Sequence, residues 1–254
     1  MTAIYCSQNL FGIVQFDEYG VKNTIRLDVL SNGLEKEGDS FYIADWSSVL
    51  KVDKSGKIME VIKGEGWDNI HTVRKFRDQL LIASTGNDKV FLGNEIIFEP
   101  RNYGFRGFTY VNSAIPYTGS EILIEMRNLK TMVIFDVDKR KIERMVTLPF
   151  LNNMHNATPY YDDLFLVSDG DGIVLFDLEG RLIVKSEKMN WNRGIFVKDR
   201  YHVYTVDRNS VYEWNPVNNR VIRRWRGPYT VYKDVKVKND VVTAGAFFDV
   251  IVED

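Results

Sequence analysis

DSFYIADWSSVLKVDKSGKIMEVIKG, residues 39–64, is the stretch whose reading decides the fold. A polar turn residue, Asp39, precedes the apolar strand SFYIAD, which ends on a small and an acidic residue. A second strand, VLKVD, runs into the turn DKSG, and a third, KIMEVIK, follows. The apolar positions alternate with polar ones, which is the period of a half-buried strand and not that of a helix. Asp suits such a turn because its side chain bonds the local backbone, and Gly accepts positive φ.

The phrase recurs: Asp78 precedes QLLIAS, Asp162 precedes DLFLVS, Asp199 precedes RYHVYT and Asn239 precedes DVVTAG. The spacings from Asp39 onward are 39, 84, 37 and 40, and reading 84 as two repeats gives a mean of 40. The intervening copy falls near Gly119, before EILIEM. Matching second strands end in Asp- or Asn-led turns at IVQFDEYG, VIFDVDKRK, IVLFDLEG and VYEWNPVNN. Four short strands per unit with no useful helical stretch predict an all-β, single-domain β-propeller over residues 1–254. A ring of such units leaves no open edge.

Closure sets the blade number. The N-terminal AIYCSQN, GIVQFDEYG and VKNTIRLDV supply the second, third and fourth strands of a unit that lacks its innermost one. Residues 232–239 read as a first strand, so the C-terminus can donate it and close six blades by pairing the two ends. The tail VVTAGAFFDVIVED reads as two further strands, and seven blades, two of them three-stranded, is the alternative. Six is preferred, because a blade without its channel-side strand leaves backbone polar groups unpaired beside the core.

The pattern resembles the broad propeller superfamily that includes the NHL, YncE-like and arylsulfotransferase-like groups, whose units carry an inner strand followed by a D-x-L-hydrophobic-hydrophobic-A-S phrase. That resemblance implies the fold over nearly the whole chain. It implies no single activity, since the superfamily spans lactonases, lyases, sulfotransferases and non-enzymatic binding proteins. The WD dipeptide and the kelch double glycine are absent as repeated features.

Composition narrows the partners. Thirty-three Lys and Arg against 35 Asp and Glu leave a net charge of -2, without the basic excess of a nucleic-acid-binding protein. The sequence shows no signal-peptide pattern and no run of apolar residues long enough to cross a membrane, so a cytoplasmic location is the expectation. The single cysteine, Cys6, excludes an internal disulfide and falls among apolar residues, where a buried inert thiol is expected.

In a propeller the first strands line the central channel, and the loops leading into them form one rim. Seven residues before each turn anchor stand Asn32, His71, His155, Asn192 and Tyr232, with the third unit's equivalent near Arg106. Arg193, Lys233, Asp68, Asn69, Asn152, Asn153 and Asn156 lie beside them, and Trp67 and Trp191 share the same loops. Two of three histidines at equivalent places are the strongest site signal, because imidazole suits proton transfer near neutral pH. The competing reading is that these side chains face a water-filled channel or bond neighbouring strands. A zinc site would need a third strong ligand where Asn and Tyr stand, so no metal and no cofactor is expected. His202 is expected within a blade. Ser168 to Gly172 lacks a complete calcium-loop ligand set and reads as a turn, and RVIRRWR at 220–226 reads as a charged outer strand.

The leading expectation is a non-catalytic binding or assembly module that presents a rim to a protein partner or a small polar or anionic ligand. The alternative is a small-molecule or saccharide enzyme of lyase or transferase type. It would use His71 and His155 as acid and base, and Arg106, Arg193 or Lys233 to hold an anion. The two part on geometry, since an enzyme needs both imidazoles within reach of one substrate. The closure argument carries its own test by truncation. Removing residues 1–20 should abolish cooperative melting, whereas removing 241–254 should be tolerated with the donor strand at 232–239.

Overall fold

The computed structural model describes residues 2–8, 12–27, 29–228, 234–237, 240–243 and 247–253, and for 234–237 and 240–243 it describes backbone pairing. Six four-stranded antiparallel sheets form the blades. Their inner strands touch in sequence around a central axis, each against the next, until the last meets the first. Blade 2 runs Ser31–Glu37, Ser40–Asp45, Ser48–Asp53 and Ile58–Lys63 from the axis outward. Blades 3 to 6 begin with the inner strands Ile70–Phe76, Val111–Pro116, Ala157–Pro159 and Ile195–Asp199.

The alternation seen in the sequence has its expected cause. In blade 2 the middle strands bury Phe41, Ile43, Val49 and Val52 between sheets, while the outermost strand Ile58–Lys63 is almost wholly exposed. Arg220–Arg226 behaves likewise: only Trp225 is buried, and Arg223 lies over its ring. The Asp-led turns close through side-chain acceptance: Asp53 Oδ1 takes the amide protons of Ser55 and Lys57, and Asp177 Oδ1 those of Glu179 and Arg181. Cys6 is buried, and burial, with Asp249 adding to it, pushes its thiol well above the ordinary range.

Blade 1 joins the two ends of the chain. Ala3–Gln8, Gly12–Asp17 and Gly20–Arg26 are its second to fourth strands, and Phe247–Glu253 is the donated inner strand, paired antiparallel to Ala3–Gln8. The donor is therefore not the segment 232–239. Asp234–Val237 instead pairs with Asp240–Thr243 in a separate two-stranded hairpin. The sequence holds the reason: DVKV alternates charged and apolar residues, a pattern for one wet face, whereas FFDVIV is apolar on both faces except for a single acid. An inner strand is covered on both faces, so the second pattern fits.

That acid, Asp249, fixes the seam. Fully buried, it accepts from Arg74 Nη1 at 2.8 Å, from Arg74 Nη2 at 3.2 Å and from the Leu34 amide at 3.0 Å. Arg74 also donates to the carbonyl of Leu34 at 2.8 Å, so one bidentate pair ties blade 1 to blades 2 and 3. On the other side the Gly194 amide of blade 6 donates to the Phe248 carbonyl at 3.0 Å. A Cβ on Gly194 would lie 2.7 Å from Asp249 Cα, so the two backbones approach this closely only with glycine.

Two outcomes follow from this seam. Deleting residues 247–254 should abolish cooperative melting, in place of the tolerance expected for a donor at 232–239. Asp249→Ala should cost about 3 to 5 kcal/mol in a denaturant titration, because it leaves the Arg74 guanidinium buried without its counter-charge. A loss below about 1 kcal/mol would mean that the pair does not hold the seam.

Candidate functional site

Each inner strand begins with a register shift against its neighbour. In blades 2, 3 and 4 the pairing jumps from Ser31 to Leu34, from Ile70 to Thr72 and from Val111 to Ser113. Blade 1 does the same between Phe247 and Asp249. Blades 5 and 6 open with a comparable bulge, in which the backbone amides of His155 and Arg193 donate to the carbonyls of Ser168 and Val206, whose own amides donate to the carbonyls of Asn156 and Gly194. A bulge of this kind re-aims one side chain out of the pleat. The residues passed over are Phe248, Asn32, His71 and Asn112 in blades 1 to 4, and Asn156 and Gly194 in blades 5 and 6, where His155 and Arg193 stand one residue earlier; Asn112, His155 and Arg193 meet at the upper face, where the inner strands begin.

This ring corrects two sequence assignments. Arg106 is exposed in the long loop before Val111, and the ring position of blade 4 is Asn112, seven residues before Gly119. The loop's 3-10 turn at Pro100–Tyr103 obscured that count. Asn192 directly precedes Arg193, and its amide is spent within blade 6 on Thr205 Oγ1 at 2.7 Å and the Val206 carbonyl at 3.2 Å. Asn32 is buried and donates to the Ile70 carbonyl of blade 3 at 3.3 Å, a structural bond. Tyr232 and Lys233 lie outside the described residues. His202 opens the second strand of blade 6, partly exposed, with Nδ1 2.7 Å from Asp199 Oδ1. At 168–172 the backbone turns on Asp169, which accepts from the amides of Asn152, Asn153 and Gly170 and pairs with Lys185.

The two ring histidines converge and are held in opposite tautomers. His155 Nδ1 lies 2.7 Å from Arg193 Nη1 and 3.1 Å from Asn112 Nδ2. A guanidinium can only donate, so Nδ1 accepts and the ring proton is on Nε2. His71 Nδ1 lies 2.6 Å from Thr85 Oγ1, whose single proton goes to the Val111 carbonyl at 2.6 Å. The hydroxyl therefore offers a lone pair, Nδ1 carries the proton, and Nε2 of His71 is an acceptor.

Both imidazoles are neutral. Burial first, then the charges of Arg193 and Arg127, hold His71 down to about 3, with a bond to the Asn69 carbonyl opposing. The same causes, joined by His71 itself, hold His155 well below its ordinary value. Arg193 is buried between rings, 4.0 Å from the Trp191 centroid and 5.0 Å from that of Phe248, and Arg208 also lies over Trp191, 4.1 Å from its centroid. Burial and then Arg127 lower Arg193 to about 9, with Arg208 adding to the effect. Arg127 stacks on Tyr110 at 4.9 Å. Beneath them Glu125 is fully buried, and neither carboxyl oxygen makes a hydrogen bond. Burial raises it well above the carboxylate range against the pull of Arg127, Asn112 and Arg193, so the group is a neutral acid.

Glu125, Arg127 and Arg208 escaped the sequence reading because each sits at the end of a second strand, where the repeat carries small or acidic residues read as turns. Among the described residues no group of three or more His, Cys, Asp or Glu is placed to hold a metal ion, and no helix is long and apolar enough to cross a membrane.

Comparison with solved structures places this architecture among propellers. The chain is similar to the WD40 β-propeller domain of Doa1, with a TM-score of 0.66 and 12% identity over 96% of this chain and 86% of that one. A protein of unknown function from Bacteroides caccae aligns with a TM-score of 0.70 and 11% identity, covering 99% of this chain and 98% of that one. A chain of a nidogen/laminin complex aligns with a TM-score of 0.72 and 11% identity, over 99% and 98%. The fold is a six-bladed β-propeller. At such identities the likeness establishes the fold and nothing finer. No protein-family model matches the sequence, and no curated protein does.

Stability should depend on pH through these buried groups. His71 is depressed in the folded chain, so the unfolded chain takes its proton first, near 6.5, and stability falls from there down to about 3. Glu125, raised in the folded chain, acts in the opposite sense, adding stability at low pH that is lost as pH rises above 4.5. The difference between wild type and His71→Asn isolates the imidazole. Urea titrations between pH 6 and 4 should show the variant's acid-side decline flatter by about 1.4 kcal/mol per pH unit. Parallel curves would show that His71 is not buried neutral.

Proposed function

We propose that this chain is a non-catalytic binding module that receives an anionic group at the upper mouth of its channel. The observation that carries the reading is three arginines without a counter-charge. Arg127, Arg193 and Arg208 form no ion pair among the described residues, yet they are near enough to depress Arg193 together. Aromatic faces of Tyr110, Trp191 and Phe248 support all three of them. Guanidinium forks held on rings are pre-ordered for a carboxylate or phosphate, and an arriving anion would relieve their mutual repulsion.

The histidines favour binding over acid–base catalysis. Proton transfer is most efficient when the group titrates near the working pH. An imidazole at about 3 carries a proton in roughly one molecule in ten thousand at pH 7, which leaves no general acid at His71. His155 is depressed by the same causes. These imidazoles serve better as fixed hydrogen-bonding groups. That one structural neighbour belongs to a nidogen/laminin complex supports the use of a propeller face in assembly, so the anionic group can sit on a small ligand or on a protein partner.

The partly exposed arginines allow a test that spares the core. Citrate and inorganic phosphate should raise the melting temperature of the wild type, since a ligand at about 100 times its Kd adds about 2.7 kcal/mol. The double variant Arg127→Gln, Arg208→Gln should fold and lose most of that rise. An equal rise in the double variant would overturn the assignment of the site.

A further inference from the structure

Below the arginines lies a group of polar side chains whose needs the fold leaves unmet. His155, Asn112, Glu125 and Arg193 are 1%, 3%, 0% and 7% exposed. His155 Nε2, Asn112 Oδ1, both Glu125 carboxyl oxygens and Arg193 Nε make no hydrogen bond. The four are contiguous: His155 bonds Asn112 and Arg193, and Glu125 pairs across the sheet with Ser113, the residue after Asn112. Buried polar atoms are nearly always satisfied, so a cluster of this kind marks a place completed by something from outside.

The protonation pattern says what that something offers. His155 Nε2–H and Arg193 Nε–H are donors, since the Arg193 contact forces the His155 proton onto Nε2. Asn112 Oδ1 is an acceptor, because the amide nitrogen faces His155. His71 Nε2 is an acceptor as well, and a neutral Glu125 carboxyl gives one proton and accepts another. A bare oxyanion only accepts, so it would satisfy the donors and face Asn112 and Glu125 without a proton to give. A hydroxyl both gives and accepts.

We infer that the ligand is a hydroxylated organic oxyanion of the sugar acid or sugar phosphate class, its charge on Arg193 and its hydroxyls on His155, Asn112 and Glu125. This rests on the anion-binding reading above and adds the uncharged half of the ligand. Arg193 borders the cluster, bonded to His155 and faced by the rings of Trp191 and Phe248.

Calorimetric titration of the full chain with gluconate, glucose 6-phosphate, acetate, inorganic phosphate and glucose tests this. Gluconate or glucose 6-phosphate should bind at least about tenfold more tightly than acetate, phosphate or glucose, the size of effect expected from satisfying buried partners. The stronger of the two distinguishes a carboxylate from a phosphate source. Asn112→Leu should remove most of that advantage. Phosphate binding as tightly as glucose 6-phosphate overturns the inference and leaves the anion-binding reading standing. Glucose binding as tightly as gluconate overturns it by removing the charge. Binding of none of the five overturns both readings and assigns the cluster to ordered water only. The comparison of probes on the wild-type chain decides the matter even where a variant fails to fold.

Discussion

An uncovered sheet edge beside the channel is the constraint on which the rest of the structure depends. The N-terminal blade begins with its second strand, so the amides and carbonyls of Ala3–Gln8 would stand unpaired on the axial side until Phe247–Glu253 lies against them. Pairing alone would close the ring in any register. Asp249 selects one, because only there does its carboxylate meet the Arg74 fork and the Leu34 amide together. A slip by one residue would turn that acid away from its partners and set Val250 in its place.

The closed ring then does something the separate blades cannot. Every inner strand opens with a bulge, and in blades 4 to 6 Asn112, His155 and Arg193, at the bulge or one residue before it, are brought to one point. Residues remote in sequence become neighbours: Asn112, His155 and Arg193 come from three blades and form one hydrogen-bonded group. Their surroundings set their chemistry. Burial beside arginines keeps the imidazoles neutral and Glu125 protonated, which makes the site rich in directional hydrogen-bonding groups and poor in groups able to exchange a proton at neutral pH.

Such a site costs stability in the unliganded chain. Arginines that repel one another and polar atoms left without partners are tolerable because the seam and the inter-blade cores supply stabilisation elsewhere. Each blade-to-blade interface is a separate hydrophobic cluster, so strain at the channel mouth need not spread into the packing between sheets. The lower mouth differs in kind. There Arg74 is neutralised by Asp249, and the cavity of about 520 Å³ is lined largely by Ile115, Pro116, Pro159, Tyr160 and Phe196.

The recurrence of an Asp-led turn, an alternating strand and a second turn about every 40 residues determined the all-β class and the ring, because those features are local and each repeat states them again, and it left six blades preferred over seven. The incomplete first unit determined that the ends must meet. Which C-terminal segment closes the ring was decided by tertiary structure: DVKV and FFDVIV are both plausible strands, and only the second finds Arg74 and two covered faces waiting. His71 and His155 were legible as site candidates because counting back from the repeat anchors puts both seven residues before a turn, and Arg193 because it adjoins Asn192 at the next such place. Asn112 was missed behind a long loop, and Glu125, Arg127 and Arg208 were missed because nothing in a linear chain says that three blades will bring uncompensated charge and unpaired buried atoms to one point. Protonation states depend on burial and on neighbours from other blades, and those exist only after the ring has closed.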